Sequence, residues 1–297
     1  MPKFIREFIR KNPHRAGILL VIVDSLFFSL MTLFVRMSGD LPTMQKTFFR
    51  NAIAAVIAII TLLGTEDKLR IKKGSLPSLL LRSICGGLGM IANFWAIDHL
   101  ALADANLLNK LSPFWAIIAS VFILSEIPAG REILYVVLAF IGASFVVRPT
   151  AGLASLPALI GLLGGLGAGF AYTFVRKLGM RGERGPLIVA FFSTFTSLLC
   201  LPFMIFDFHP MSVFQWACLL GAGVCAALAQ FAVTNAYRLA PAREISVFDY
   251  SQVVFASLWG ILFFAELPDA WSIVGYVIVI ATAVAKWRYT MRSQEKE

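Results

Sequence analysis

The side chains best suited to chemistry are polar residues set into an apolar stretch of the first half of the chain. This stretch, Ala103–Leu124, is long enough to cross a bilayer, which takes about 20 residues. Four residues interrupt it at i, i+3, i+4 and i+7, the spacing of one helix face: Asn106, Asn109, Lys110 and Pro113. Pro113 lacks a backbone donor and is predicted to loosen the helix. Because a lysine at the bilayer centre costs roughly 2.5–3.5 kcal/mol, this face is predicted to border a wet cavity or a bundle interior.

Lys110 is interpreted as the contact for an anionic or acceptor group of a bound solute. The alternative is a buried ion pair that fixes the register of its helix. The sequence places Lys110 in the half of its span nearer the outer surface, seven residues from the predicted start at Ala103.

Two aspartates and one arginine stand in other apolar stretches, toward the cytoplasmic side. Asp24 and Asp249 are candidates for proton coupling or solute binding, because intramembrane carboxylates commonly mark such sites. An unpaired carboxylate away from water is disfavoured in its charged form, whereas Arg82 nearby would favour that form. The alternatives are a structural pair or cap for the aspartates, and extension of the Arg82 side chain to the inner interface.

Further polar and aromatic residues concentrate in the same few stretches and complete the candidate solute site. A single residue of this kind most often makes an interhelical hydrogen bond or a packing contact. Their concentration in a few stretches is what indicates a solute site. Together with Lys110, the candidate solute-binding residues are Asn93, Trp95, Asn106, Asn109, Trp115, Gln230, Ser246 and Tyr250. A stripe of small residues at Gly161, Gly165 and Gly169 predicts close packing against a neighbouring helix.

The elements that must position these residues occur twice, at a constant offset of 140 residues. Glu126-Ile127-Pro128 falls on Glu266-Leu267-Pro268, and Phe34-Val35-Arg36 falls on Phe174-Val175-Arg176. At the same shift Lys110 meets Tyr250. Scattered identities are common in apolar sequence, but an offset held over so much of the chain indicates a duplication.

Composition excludes a soluble globular protein. The 297 residues are 59% hydrophobic and only 14% charged, with a mean hydropathy of +0.80, whereas soluble domains are about 25% charged. The net charge of +9 sits in short loops between apolar runs, so it indicates membrane topology and not a nucleic-acid partner. The sequence has no HExxH zinc-binding motif, no Walker phosphate-binding loop and no Gly-x-Ser-x-Gly motif. Neither an enzyme nor a cofactor or metal site is therefore predicted.

Ten membrane spans are predicted from the apolar runs. Their approximate bounds are Ala16–Met37, Gln45–Leu63, Ser78–Ile97, Ala103–Leu124, Arg131–Val147, Ser155–Val175, Pro186–Phe206, Val213–Tyr237, Ile245–Phe264 and Asp269–Trp287. Five spans in each half is an odd number, so the second half must enter the membrane the other way up. The predicted organisation is a basic cytoplasmic segment at 1–15, five-helix repeats at 16–147 and 155–287, and a cytoplasmic tail at 288–297.

The distribution of lysine and arginine predicts the orientation. With the N-terminus inside, inner segments hold twenty of these residues and outer segments hold four: Arg36, Lys46, Arg50 and Arg148. Basic residues favour the cytoplasmic side of short loops, so both termini are predicted to be cytoplasmic.

The duplicated blocks Ala96–Pro128 and Ala236–Pro268, each with a glutamate near its end, resemble the drug/metabolite transporter superfamily and its ten-helix EamA-type permeases. The resemblance covers the whole chain. It implies an all-helical integral membrane fold of two inverted five-helix repeats, with a central cavity lined mainly by helices 1, 3, 4, 6, 8 and 9. It also implies the transport of small metabolites, without naming the solute.

The predicted function is that of a bacterial inner-membrane secondary transporter, which moves a small polar or amphoteric metabolite such as an amino acid or purine-like compound by alternating access. The alternatives are a passive facilitator or channel, a multidrug or metabolite exporter, and a membrane scaffold or enzyme. The expected partners are a small-molecule solute and the lipid bilayer, with protons as the candidate coupling ion and no nucleic acid. The chain is expected to be a monomer or a homodimer.

Overall fold

The computed structural model describes residues 13–65, 70–99, 108–147, 156–264 and 270–294. Their architecture is all-helical, with ten long helices in chain order. These are α1 (Pro13–Met37), α2 (Thr43–Leu63), α3 (Leu76–His99), α4 (Ser112–Leu124), α5 (Gly130–Val147), α6 (Leu156–Met180), α7 (Gly185–Phe206), α8 (Val213–Leu239), α9 (Ser251–Phe264) and α10 (Ala270–Gln294). A helical turn at Ala242–Ile245 and a 3₁₀ segment at Ser246–Tyr250 lie between α8 and α9.

Local signals set the ends of several helices. Pro42 precedes α2, where a missing backbone donor costs nothing. Gly182 adopts φ +72° in the short α6–α7 turn, a conformation that side-chain-bearing residues rarely adopt. Ser212 caps α8 in a reciprocal arrangement with Gln215. Among the described residues, seven helical stretches are long and apolar enough to cross a membrane.

The predicted duplication is confirmed in the helix order. α5 begins at Gly130 and α10 begins 140 residues later, at Ala270, while α4 and α9 end at Leu124 and Phe264. The main helix contacts also follow the duplication. α3 packs on α6, and their counterparts in the other repeat, α8 and α1, pack on each other in the same way. α2 packs on its counterpart α7, and α5 packs on α10. The protein is therefore a pair of inverted five-helix repeats that interlock, and not two separate bundles.

The predicted glycine stripe is confirmed as a close-packing surface on α6. A Cβ atom at Gly165 would lie 2.6 Å from the backbone oxygen of Leu108, and one at Gly169 would lie 2.5 Å from the Cβ of Trp115. Side chains at these positions would therefore push α6 away from the segment that carries Lys110.

The two ends of the bundle differ in charge. At the end that holds the start of α1, which we call the basic end, His14 contacts Glu244 and Arg176 pairs with Glu126 at 3.2 Å. At the other end, which we call the opposite end, Gln45 bonds to the backbone of His209 and Gln215 bonds to that of Ser38. The predicted segment 1–15 lies mostly outside the described residues, and α10 continues beyond Trp287 to Gln294.

Candidate functional site

A cavity of about 840 Å³, counting the space at its mouth, lies between the two repeats. Its charged and polar lining residues are Thr32, Arg50, Arg82, Asn93, Asn109, Lys110, Ser112, Tyr172, Gln230, Asp249 and Gln252. The apolar wall includes Phe28, Met31, Met90, Phe94 and Phe192. Of the predicted site residues, the structure thus brings together Lys110, Asn109, Asn93, Gln230, Asp249 and Arg82.

The segments that carry Lys110 and Asp249 depart from regular α-helix at the cavity, a feature that the sequence prediction of two continuous spans did not include. Residues 108 and 109 are helical, Lys110 and Leu111 form a turn, and α4 starts only at Ser112. Pro113 therefore sits in the first turn of a helix, where its missing donor is harmless, and it does not loosen a helix interior. In the second repeat the irregular part is the 3₁₀ segment Ser246–Tyr250. The helical stretch Val247–Phe264 is still long and apolar enough to cross a membrane, in agreement with the predicted span.

Lys110 and Asp249 meet at this break. The Lys110 ammonium lies 3.6 Å from Asp249 Oδ1 and donates to the Asp249 carbonyl at 3.2 Å and to Gln252 Oε1 at 2.6 Å. The Tyr250 hydroxyl in turn donates to the Lys110 carbonyl at 2.8 Å. The sequence predicts Lys110 and Asp249 at different membrane depths. The structure places them in contact, because the irregular segments of the two inverted repeats meet at the cavity.

Asp24 is fully buried beside this pair. Among the described residues neither of its carboxylate oxygens has a hydrogen-bond partner, and it lies within electrostatic range of Asp249 and Lys110. Next to it, Ser25 donates to the Asp249 carbonyl at 3.4 Å. Asp24 does not belong to the cavity lining, so it lies behind the wall that Asp249 forms.

Arg82 faces the cavity. Its side chain is 2% exposed and its guanidinium carbon lies 3.7 Å from the centre of the Phe192 ring. The alternative in which Arg82 extends to the membrane interface is therefore wrong. Within the part of the chain that the structure describes, Arg82 forms no ion pair with Asp24 or Asp249.

Arg50 is a cavity residue that sequence reasoning missed. It was counted as an outer-loop charge, but it lies within α2, is 4% exposed and lines the cavity. The signal that could have found it is Asn51, because two adjacent polar residues inside a predicted span are costly unless they face a cavity. Tyr172 and Phe192 were also missed, since nothing in α6 or α7 sets their rings apart from other aromatic residues.

The remaining predicted residues lie elsewhere or outside the described part. Trp95 stacks on His99 with ring centres 3.8 Å apart and lines a separate pocket with Gln45. Trp115 packs on Gly169, and Tyr250 is fully buried behind Lys110, so neither lies among the residues of the main cavity. Asn106 and the Ser246 side chain lie outside the described residues.

The cavity is closed toward the basic end. Tyr172, on its wall, stacks on the buried ring of Tyr237 with centres 4.6 Å apart. Beyond them Arg176 pairs with Glu126 and donates to the Arg238 carbonyl at 3.2 Å. These contacts join helices of both repeats across the closed end.

Toward the opposite end the cavity has an extension. A second pocket shares Met31, Thr32 and Phe94 with the cavity and continues past Arg36 to Lys46. The cavity therefore leads from the paired breaks of the helices toward the α1–α2 connection.

Inverted repeats, broken helices and a charged cavity at their junction define a membrane transporter. The chain belongs to the EamA-like transporter family, whose sequence pattern matches residues 15–148 and again residues 155–285. It is a multi-pass membrane protein of that family.

Similar proteins agree on the class. The chain is 34% identical to the pseudopaline exporter CntI of Pseudomonas aeruginosa over 276 residues, which cover 91% of this chain and 95% of the exporter. It is 26% identical to the riboflavin transporter of Vibrio cholerae over 294 residues, covering 95% and 94% of the two chains. A protein of known crystal structure has the same fold, with a TM-score of 0.79 at 16% identity over 91% of this chain and 96% of that one.

Proposed function

We propose that the protein is a secondary transporter of the bacterial inner membrane that moves a small polar or amphoteric metabolite by alternating access. The observation that carries the proposal is the cavity at the repeat junction, where Arg50, Arg82 and Lys110 share one space with Asp249. Ionisable residues inside a membrane are costly and commonly mark a solute or ion path. A site with both signs of charge suits a solute with both signs.

Alternating access is supported by the asymmetry of the two ends. The stacked pair Tyr172–Tyr237 closes the basic end, whereas the pocket past Thr32 extends the cavity toward the opposite end. In an inverted repeat the two halves can exchange conformations, and the closed end then becomes the open one. A passive channel would need a continuous path through the closed end, so this asymmetry favours a carrier over a channel.

Proton coupling is proposed for the aspartates behind the cavity. Asp249 has Lys110 as its partner, whereas Asp24 has no hydrogen-bond donor in the described part of the chain and lies close to the negative charge of Asp249. Both burial and a like charge disfavour the ionised form of a carboxyl group. Asp24 is therefore the better candidate for the group that takes up and releases the proton during the cycle.

Orientation and direction complete the proposal. The basic end holds most of the described lysine and arginine residues of the loops, so we assign it to the cytoplasm together with both termini. The similarity to an exporter over nearly the full chain favours export over uptake. In this orientation the cavity extends toward the outer face.

Flux measurements on purified protein in liposomes test the proposal. A carrier shows trans-stimulation, in which solute on one side speeds the movement of labelled solute from the other, and a channel does not. A metabolite screen by thermal unfolding would first supply the solute, since a ligand at 100 times its Kd adds about 2.7 kcal/mol of stability. Flux without trans-stimulation would favour the passive facilitator.

The orientation has its own test. A membrane-impermeant thiol reagent on intact cells should label a cysteine introduced at His99 or His209 but not one introduced at Lys72. Labelling at Lys72 alone would reverse the assignment.

A further inference from the structure

Two arginines in the cavity have no acidic partner among the described residues. The Arg50 guanidinium donates to the thioether sulfurs of Met31 and Met90 at 3.1 Å and to Asn51 at 3.0 Å. Thioethers are weak acceptors. Arg82 has a buried Nε for which the described residues supply no hydrogen-bond partner. Both side chains are at least nine-tenths buried and both line the cavity.

Packing around the Arg82 guanidinium fixes its position on the cavity wall. One turn further along α3 stands Gly86, where a Cβ atom would lie 2.3 Å from a terminal nitrogen of Arg82 and 3.0 Å from the Phe192 ring. Any side chain at Gly86 would thus displace the guanidinium from its place over the ring. The aromatic face stabilises the cation while leaving its N–H edge available for another partner.

The two arginines give the site an excess of positive charge. Lys110 is matched by Asp249 at 3.6 Å, so this pair adds no net charge. Asp24 can offset at most one of the two guanidinium charges, and it lies outside the lining. Arg50 and Arg82 lie within electrostatic range of each other, so they also repel each other. Buried cations without an acidic partner are costly, and an anionic ligand would remove that cost.

We infer that Arg50 and Arg82 bind a carboxylate group of the transported solute. The inference rests on the proposed function and narrows its solute to an organic acid with at least one carboxylate. A guanidinium presents a planar fork of N–H donors that matches a carboxylate in two parallel hydrogen bonds. The polar or cationic remainder of the solute then faces Asn93, Gln230 and Asp249 across the cavity.

The same geometry changes the role of Lys110. Its ammonium is occupied by the Asp249 carboxylate, the Asp249 carbonyl and Gln252. Lys110 therefore positions the broken helix of the second repeat, and the arginines supply the anion contact that the sequence assigned to the lysine.

The binding test uses the purified full-length protein and glutarate as the probe. Thermal unfolding is followed in increasing sodium glutarate, and separately in its neutral diamide, in inorganic phosphate and in sodium chloride at matched ionic strength. We expect glutarate alone to raise the unfolding midpoint strongly. Arg50→Gln and Arg82→Gln should each weaken the apparent affinity for glutarate about 10- to 100-fold, the cost of lost hydrogen bonds to a charged group.

Matched variants separate the anion contact from folding. Arg70→Gln removes an exposed arginine remote from the cavity and should leave glutarate binding unchanged. Arg82→Lys keeps the charge and loses the fork, so its affinity should fall between those of the wild type and Arg82→Gln. If either glutamine variant fails to unfold cooperatively without ligand, the comparison of Arg82→Lys with the wild type decides.

Three binding outcomes would overturn the inference. They are equal stabilisation by glutarate and its diamide, a stronger effect of phosphate or chloride than of glutarate, and full retention of the glutarate effect in the variants. A transport experiment separates this inference from the proposed function. Cells that produce the wild type should enrich carboxylate-bearing metabolites in the medium, and cells with Arg82→Gln should not.

Enrichment of solutes without a carboxylate would keep the transporter and overturn the role of the arginines. If the wild type enriches no solute and shows no flux in liposomes, the proposed function fails. The glutarate series then decides the arginine site by itself.

Discussion

Lys110 and Asp249 satisfy each other across the boundary between the repeats, and this makes each of them sensitive to loss of the other. The ammonium donates to the Asp249 carbonyl and to Gln252 Oε1, and it forms an ion pair with the Asp249 carboxylate at 3.6 Å. Removal of one member of a buried pair is strongly destabilising, because it leaves an uncompensated charge away from water. Replacement of both members can be nearly neutral.

Lys110→Met is therefore expected to lower the stability of the protein by about 3–5 kcal/mol, because it leaves the Asp249 carboxylate buried without its partner. Addition of Asp249→Asn to that variant should recover much of the loss. Thermal unfolding of the two single variants and the double variant measures the coupling. If the losses of the single variants simply add in the double variant, the pair does not stabilise the fold.

Asp24 differs from Asp249 because no donor on the residues that the structure describes satisfies its carboxylate. Asp24→Asn keeps the size of the side chain and abolishes its titration. We expect the variant to lose the pH dependence of net transport in liposomes while it keeps solute exchange, because exchange returns the carrier loaded and needs no proton release. Asp249→Asn serves as the comparison, since that carboxylate has Lys110 as its partner at 3.6 Å.

A wild-type pH profile in the Asp24→Asn variant would remove Asp24 from the coupling. Wild-type transport that does not change with pH would remove proton coupling altogether, and facilitated transport would then be the better account.

At the scale of elements, the sequence predicted far more about the helices than about their contacts. The apolar runs located ten spans, and the 140-residue offset related them in pairs, as the structure has them. The irregular segments ahead of α4 and α9 were not predicted from the sequence, because polar residues show the same spacing in an interrupted helix as in a continuous one. The position of Arg50 in the cavity was not predicted either. Counting charges assigns each residue to one side of the membrane and cannot tell which side of a helix faces a cavity.

The stripe on α6 gives an element-scale prediction. Gly165→Ala adds one methyl group at a point only 2.6 Å from the backbone oxygen of Leu108. Backbone cannot move aside as a flexible side chain can, so we expect a loss of about 1–3 kcal/mol, seen as a lower midpoint of thermal unfolding. Gly130→Ala is the matched control, because a Cβ atom there meets nothing within 4 Å.

An unchanged midpoint for Gly165→Ala would mean that α6 can shift away from the segment before α4 without cost. In that case the stripe would be a sliding surface, and the variant should be examined for altered flux in place of altered stability.

For the whole molecule, the inverted duplication is what allows one chain to hold two access states. Lys110 and Tyr250 are equivalent positions in the two repeats, and the Tyr250 hydroxyl bonds directly to the Lys110 carbonyl. The axis that relates the repeats therefore passes close to the candidate site. Exchange of conformations between the repeats would then keep the site near the centre while the two ends exchange roles.

The closed basic end gives the last prediction. Arg176 joins α6 to Glu126 after α4 and to the Arg238 carbonyl of α8, with both charged side chains less than one-fifth exposed. Arg176→Gln should weaken this closure and shift the population toward the state open at the basic end. A partly buried ion pair of about 1 kcal/mol corresponds to a shift of about five-fold in the equilibrium.

The shift can be measured at Thr32, which lies where the cavity meets the pocket of the opposite end. In a background without the four native cysteines, Thr32→Cys is labelled by an impermeant thiol reagent added outside intact cells. Addition of Arg176→Gln should slow this labelling several-fold, because the outer path is closed more of the time. Lys177→Gln, a charge loss in the same turn of α6, should leave the rate unchanged. Equal rates in all three proteins would show that the Arg176 contacts do not control access, whereas faster labelling with Arg176→Gln would mean that both ends open independently, as in a channel.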